Sequence, residues 1–120
     1  MAERRKFERR SISYYLRVID AGTNLMLGHL ADITLKGLKM DSQKPLLIKK
    51  EYRLRINTTA DVADKESIEF SAFTRWCHPD PLQTGLYEIG FEIVIITPHD
   101  SAILQRIMDK YSVKEPNHNF

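Results

Sequence analysis

The sequence lacks several features that would assign it to a well-defined class. It contains a single cysteine, Cys77, so it offers neither an intramolecular disulfide nor a cysteine-based metal site. No apolar run approaches the ~20 residues that a membrane-spanning helix needs. The N-terminus is charged where a signal peptide would be apolar. These absences predict a protein of the reducing cytoplasm that does not insert into membranes.

An excess of charge of one sign is also missing. The 120 residues carry a formal net charge of only +2, although 28% of them are charged and 42% are hydrophobic. Such a composition is typical of one globular domain. The near-neutral total does not favour bulk attraction to nucleic acid or to a membrane surface.

Catalytic and metal-binding patterns are equally scarce. The histidines are scattered along the chain, and none has an acid or a nucleophile at the spacing of a known catalytic motif; they are His29, His78, His99 and His118. No paired carboxylates or metal-ligand cluster can be recognised. We therefore expect a protein that is not an enzyme and that has no cofactor and no bound metal.

The positive charge that is present lies close to the N-terminus. Residues 3–10 contain five cations in eight positions, namely Arg4, Arg5, Lys6, Arg9 and Arg10. We interpret residues 1–12 as a flexible basic arm. The arginine fork suits phosphate and the O6/N7 edge of guanine. Taken alone, however, the arm is more simply a solvated basic tail.

The rest of the chain shows the pattern of a β-protein. Apolar and polar residues alternate with a period of two, which predicts strands at 13–19, 25–33, 38–40, 51–57, 68–76 and 87–95. In the last two strands, Trp76 and Ile95 are expected on the same faces as Thr74 and Ile93. Six short strands separated by turns predict a closed barrel or a sandwich, within a domain that covers 13–112.

A helix is predicted after the strands, at about 98–111. Thr97 has the character of an N-cap, Pro98 suits the first helical position, and Asp100 suits the N-terminal end of the helix dipole. Apolar residues then recur at helical spacing, so one face of the helix should pack on the strands. Residues 113–120 are polar and are expected to form a frayed tail.

A second candidate site follows the predicted strand 25–33. Asp32 and Thr34 are two positions apart and should leave the same face of the strand. An ionised Asp32 can accept hydrogen bonds from guanine or hold an arginine, and the Thr34 hydroxyl can donate or accept. Gly37 would allow a positive φ or a close backbone approach. An ordinary turn with no ligand explains the same residues.

Taken together, the two segments resemble the two ligand motifs of PilZ domains, Arg-x-x-x-Arg and Asp/Asn-x-Ser-x-x-Gly. They read Arg5-Lys-Phe-Glu-Arg9 and Asp32-Ile-Thr-Leu-Lys-Gly37 in this chain, in the same order and at a similar separation. Trp76, the strand around 87–91 and the closing helix extend the resemblance to about residues 3–111. One departure is Thr34, which stands where the family has serine and adds a methyl group beside the ligand.

The resemblance implies a mainly β fold, a six-stranded antiparallel PilZ-like split barrel with a C-terminal α-helix. It also implies a ligand, the bacterial second messenger cyclic di-GMP. Arg5 and Arg9 would grip phosphate and guanine, while Asp32 and Thr34 would meet the other guanine edge or orient the arginines. The secondary ligand candidates are Arg4, Arg10 and Trp76, of which Trp76 would be a stacking platform or, equally, a structural aromatic.

Three functions are consistent with these observations. The first is a cyclic di-GMP receptor that signals to an unidentified protein partner in motility, adhesion or exopolysaccharide machinery. The second is a degenerate PilZ adaptor that works by protein contact without the nucleotide. The third, a barrel that binds single-stranded nucleic acid, is disfavoured because the basic charge is confined to the arm and does not extend over a strand face.

Overall fold

The computed structural model describes residues 16–111 and, further towards the N-terminus, the backbone of Arg10 and Ser11. Residues 1–9, 12–15 and 112–120 lie outside this description. The ligand candidates Arg4, Arg5 and Arg9, the start of the first barrel strand at Ser13 and the tail at 113–120 therefore remain expectations from the sequence.

The described chain forms a barrel of antiparallel strands followed by one helix. The elements are β1 (Arg10–Ser11), β2 (Arg17–Asp20), β3 (Leu25–Ile33), β4 (Gly37–Ser42), β5 (Glu51–Asn57), β6 (Ser67–Pro79), β7 (Tyr87–Ile95) and α1 (Pro98–Tyr111). Strands β2 to β7 pair in the order β3-β2-β5-β6-β7-β4, and β4 pairs back to β3. This closure confirms the predicted six-stranded antiparallel barrel with a C-terminal helix.

The short strand β1 lies at the end of the predicted arm. Arg10 is opposite Ile33, and Ser11 is opposite Asp32. β1 therefore pairs with the C-terminal end of β3, after the residues of β3 that pair with β2. Two residues of the arm segment thus contribute backbone to the sheet. The pairing sets the chain that leads into the arm directly beside the end of β3.

The barrel interior is filled by the inward faces of the strands and by one face of α1. Tyr52, Leu54 and Ile56 of β5 point inward, as their alternation predicts. On α1 the apolar stripe at helical spacing is almost completely buried; it comprises Ile103, Leu104, Ile107 and Met108. Each large apolar side chain that is removed from water contributes roughly 1.5–3 kcal/mol, so this stripe accounts for much of the helix docking.

Polar contacts fix both ends of α1. The Thr97 hydroxyl accepts a hydrogen bond from the backbone N–H of Asp100 at 3.1 Å, which confirms Thr97 as the N-cap. The Asp100 carboxylate accepts hydrogen bonds from Lys65 Nζ at 2.7 Å and from the backbone N–H of Glu69 at 3.2 Å. At the other end, the Tyr111 hydroxyl lies 3.1 Å from Asp61 Oδ1 in the loop that precedes β6. No helix in the described part of the chain has the length and apolarity to cross a bilayer.

β-Bulges interrupt the alternation in several strands. Register shifts leave two extra residues in β3, at Leu27 and Ala31, and one each in β6 and β7, at Arg75 and Val94. Because a bulge exchanges the two faces for all later residues of its strand, two expectations from simple alternation are wrong. Ile95 is 60% exposed and does not share the buried face of Ile93. Trp76, which is only half-buried, does not share the buried face of Thr74.

Candidate functional site

The main candidate site is a pocket of ≈ 180 Å³ on the outer surface of the barrel, where β3 and β4 lie beside β6 and β7. Four residues expected from the sequence line it: Asp32, Thr34, Gly37 and Trp76. The pocket also has residues that the sequence did not indicate, namely Ile33, Leu38, Lys39, Arg75, Gly90 and Phe91. The structure therefore brings together the second sequence motif and the distant tryptophan.

The centre of the pocket is a row of residues that runs across four strands. Asp32 on β3 is opposite Lys39 on β4, Lys39 is opposite Gly90 on β7, and Gly90 is opposite Trp76 on β6. Residues in one such row project from the same face of a sheet. The bulges at Ala31 and Arg75 bring Asp32 and Trp76 into this row, and Gly90, which has no side chain, leaves room there for the Trp76 indole.

Asp32 supplies the carboxylate of the pocket. Its residue is 9% exposed, and its Oδ2 atom lies 3.5 Å from Lys39 Nζ. The same Lys39 ammonium lies 3.8 Å from Glu88 Oε2, so it bridges two acids on neighbouring strands. The Asp32 carboxylate is thus paired with a partly exposed cation at the edge of an open pocket.

Thr34 controls the shape of the β3–β4 turn. Its Oγ1 atom accepts hydrogen bonds from the backbone N–H groups of Lys36 and Gly37, both at 3.0 Å. The backbone N–H of Thr34 donates in turn to the carbonyl of Gly37 at 2.8 Å. These contacts give the hydroxyl a local structural role, typical of threonine at turns, in addition to any contact with a ligand.

Gly37 is required by a close approach of two strands. A Cβ atom at this position would lie 2.4 Å from the carbonyl oxygen of Phe91 on β7, far inside van der Waals contact. A positive φ is not the reason, because among the described glycines only Gly85 has one. The glycine of the motif therefore allows β4 and β7 to pair at the floor of the pocket.

Trp76 lies flat over the backbone of Gly90. A Cβ atom at Gly90 would come within 2.2 Å of the indole Cε2 atom, so only glycine leaves room for this placement. The His78 ring stacks on the indole with a centroid distance of 4.7 Å and an interplanar angle of 9°. Trp76 is half-buried and lies inside β6, which continues to Pro79. The half-buried indole borders the pocket, with the Gly90 backbone and the His78 ring as its neighbours.

Arg75 is the extra residue of the β6 bulge. Its Nε atom donates to Glu92 Oε1 at 2.7 Å, and its Nη2 atom donates to the same oxygen. The guanidinium carbon also lies 4.9 Å from the centroid of the Phe73 ring. The local sequence does not indicate this residue, because regular alternation would direct Arg75 and Trp76 to opposite faces.

The charges of the barrel surface around the pocket nearly cancel. Its cations, Lys39 and Arg75, are each paired with acids, which are Asp32, Glu88 and Glu92. An anionic ligand would therefore gain little net attraction from the barrel alone. The cationic segment 3–10 contains the charge that such a ligand needs, and its last residue, Arg10, lies opposite Ile33 beside the pocket.

An acidic cluster lies beyond Lys39. Carboxylate oxygens of Asp41, Asp80 and Glu88 come within 4.8 Å of one another, a geometry that could accept a cation. Burial raises the pKa of Asp41, the nearby Lys39 lowers it, and Asp80 and Glu88 raise it further. Lys39 thus offsets a local concentration of negative charge beside the pocket.

The fold resembles solved structures of known proteins. The PilZ domain of YcgR from Escherichia coli, solved with c-di-GMP, aligns with a TM-score of 0.71 at 18% identity, over 91% of this chain and 92% of that chain. The Bacillus subtilis inhibitor of motility, MotI/DgrA, aligns with a TM-score of 0.69 at 18% identity, over 91% of this chain and 52% of that chain. A second E. coli YcgR complex with c-di-GMP aligns with a TM-score of 0.65 at 19% identity, over 89% of this chain and 45% of that chain.

These similarities establish the fold, and this chain spans only about half the length of MotI/DgrA and of the second YcgR chain. A search of curated protein sequences finds no match. The family model described as the PilZ domain, by contrast, matches residues 3–110, which is nearly the whole chain. The chain therefore belongs to the PilZ domain family.

Proposed function

We propose that this protein is a non-enzymatic cytoplasmic receptor for cyclic di-GMP. The observation that carries the proposal is the pocket that unites Asp32, Thr34, Gly37 and Trp76 beside the strand that leads into the basic arm. The PilZ family membership and the two YcgR structures solved with c-di-GMP support the same ligand.

The ligand would lie between the arm and the barrel. β1 is antiparallel to β3, with Arg10 opposite Ile33. The arm segment therefore joins the sheet beside the end of β3, next to the pocket. From there Arg5 and Arg9 would bind the phosphates and a guanine edge, with Arg4 and Arg10 as secondary contacts.

The barrel residues would contact the bases. The Asp32 carboxylate can accept from the N1–H and N2–H₂ groups of a guanine, and the Trp76 indole can stack on a base. Thr34 and Gly37 would act mainly by holding the turn and the floor of the pocket. The methyl group of Thr34 would lie beside the ligand without removing the hydroxyl that the motif requires.

Closure of the arm would be the signal. The barrel side of the pocket carries no excess of positive charge, so the phosphates would recruit the cationic arm. An arm that becomes ordered on binding creates or hides a surface for a partner. The partner would be a protein of motility, adhesion or exopolysaccharide machinery.

The direct test is isothermal titration calorimetry with cyclic di-GMP on the wild type and on Arg9→Ala. Arg106→Ala is the matched control, because Arg106 is an exposed arginine of α1 outside the pocket. We expect saturable binding to the wild type and to the control. We expect a loss of at least about tenfold for Arg9→Ala, since charge-assisted hydrogen bonds contribute about 1.5–3 kcal/mol.

Absence of binding by the wild type, at protein concentrations well above a micromolar affinity, would contradict the proposal. That result would favour the alternative of a PilZ adaptor that acts by protein contact without the nucleotide. Equal losses for Arg9→Ala and Arg106→Ala would instead show that overall charge, and not an arginine clamp, determines the affinity.

A further inference from the structure

The bulge in β6 gives the pocket two consecutive side chains of one strand. In a regular strand, Arg75 and Trp76 would point to opposite faces. The register moves from the pair Thr74 and Phe91 to the pair Trp76 and Gly90, so no residue of β7 lies opposite the backbone of Arg75. Both Arg75 and Trp76 consequently line the same pocket.

The guanidinium of Arg75 is held in a defined orientation. Glu92 Oε1 accepts from Nε and Nη2, which occupies one edge of the planar group. The Phe73 ring lies 4.9 Å from the guanidinium carbon and supports it. Among the described residues, none accepts a hydrogen bond from Nη1. The end of the fork formed by Nη1 and Nη2 is therefore available to a ligand.

We propose that Arg75 reads the O6/N7 edge of a guanine that lies in this pocket beside Trp76. The inference rests on the proposed function and adds a specificity-determining residue to it, outside the Arg-x-x-x-Arg and Asp-x-Thr-x-x-Gly motifs. Guanine presents two acceptors, O6 and N7, which match two parallel N–H donors. Adenine presents the donor N6–H₂ in place of O6, so the same fork would disfavour it.

A second arginine–glutamate ion pair in the barrel provides a matched control for the Arg75–Glu92 pair. Arg53 pairs with Glu69 at 3.3 Å across β5 and β6, and its side chain is 50% exposed, against 56% for Arg75. Arg53 does not line the pocket. If the Arg75–Glu92 pair were only a surface ion pair, substitution of either arginine would have the same small effect on ligand binding.

The experiment compares cyclic di-GMP with its 7-deazaguanine analogue, which lacks N7 and keeps both phosphates. Calorimetric affinities for the two ligands are measured on the wild type, Arg75→Gln, Arg75→Lys and Arg53→Gln. Arg75→Lys retains the charge but cannot form the parallel fork. Urea unfolding of each variant verifies that the barrel remains folded.

We expect the wild type and Arg53→Gln to prefer cyclic di-GMP over the analogue by the same factor. In Arg75→Gln and Arg75→Lys that factor should fall by at least about fivefold, the lower range for one bidentate contact. Equal weakening of both ligands would mean a phosphate contact and would overturn the proposal, as would no change at all. Failure of the wild type to bind cyclic di-GMP would refute the proposed function itself, a distinguishable result.

Discussion

Two buried aspartates serve different regions of this molecule. Asp100, 6% exposed, is enclosed where α1 meets the barrel, and two N–H donors at 2.7 and 3.2 Å hold its carboxylate. Asp32, 9% exposed, borders an open pocket and lies 3.5 Å from Lys39 Nζ. Under the proposed function, similar burial would serve stability at Asp100 and recognition at Asp32, according to what surrounds each carboxylate.

The largest expected effect is on the helix side of this comparison. Asp100→Ala should lower the free energy of unfolding by about 2 kcal/mol, because it leaves the partly buried Glu69 N–H without its acceptor and removes the partner of Lys65. Urea unfolding followed by circular dichroism measures the loss. The affinity of the folded protein for cyclic di-GMP should not change.

Asp64→Ala is the control for that prediction, since the Asp64 side chain is 82% exposed and lies 3.7 Å from His99. Its unfolding free energy should stay within about 0.5 kcal/mol of the wild type. A loss for Asp100→Ala as small as that of the control would remove the distinction between the two aspartates.

Substitution of the pocket aspartate should affect ligand affinity more than stability. Asp32→Ala should weaken cyclic di-GMP binding by about tenfold or more, because a charged acceptor for guanine is lost. Stability should fall by less than it does for Asp100→Ala, since Lys39 keeps Glu88 as a partner at 3.8 Å. Calorimetry and urea unfolding on the same sample test both parts, and unchanged affinity with a large stability loss would reverse the assignment.

The hydroxyl groups of two threonines, Thr97 at the helix and Thr34 at the pocket, allow the same comparison between the two regions with uncharged side chains. The Thr97 hydroxyl caps α1, and the Thr34 hydroxyl accepts two N–H groups of the pocket turn. Each substitution to valine should cost about 1 kcal/mol of unfolding free energy. Thr34→Val alone should also weaken ligand binding, because the turn loosens.

Thr34→Ser keeps the hydroxyl and removes the methyl group. We expect it to preserve the unfolding free energy within about 0.5 kcal/mol and to bind cyclic di-GMP at least as tightly as the wild type. Weaker calorimetric binding by the serine variant would show that the methyl group contributes to recognition.

The smallest expected effect concerns Asp41. Burial and the neighbouring acids raise the pKa of its carboxyl in the folded state, so the ionised group opposes folding at neutral pH. Asp41→Asn should therefore raise the unfolding free energy slightly, by up to about 0.5 kcal/mol. The gain should shrink as the pH falls through the folded-state pKa and vanish below the ordinary aspartate pKa of about 4. Urea unfolding at several pH values measures this, and a gain that grows in acid would contradict the assigned sign.

Much of the fold could be predicted from local patterns. The predicted bounds of β3 and β5 agree with Leu25–Ile33 and Glu51–Asn57, and the signals at Thr97 and Pro98 locate the start of α1. Such signals are local, since alternation follows from the period of a strand and capping from the chemistry of one turn. The pocket residues of the second motif were found for a different reason, the resemblance to a family.

The parts that could not be predicted depend on register between distant strands. The bulges at Ala31 and Arg75 place Asp32, Lys39, Gly90 and Trp76 in one row. No local sequence pattern indicates an extra residue in a strand. Alternation therefore does not predict that Arg75 and Lys39 line the pocket, and it places Trp76 on the wrong face of β6. The available signal was Gly90 inside β7, because a close neighbour is a common reason for glycine inside a strand.

The placement of Trp76 has a spectroscopic consequence. It is the only tryptophan of the chain, and its indole borders the pocket while it rests on Gly90 and His78. A base that stacked on it would change the local polarity and quench its emission. The protein therefore contains an intrinsic fluorophore at the point where recognition would take place, so occupancy can be followed in real time without a label.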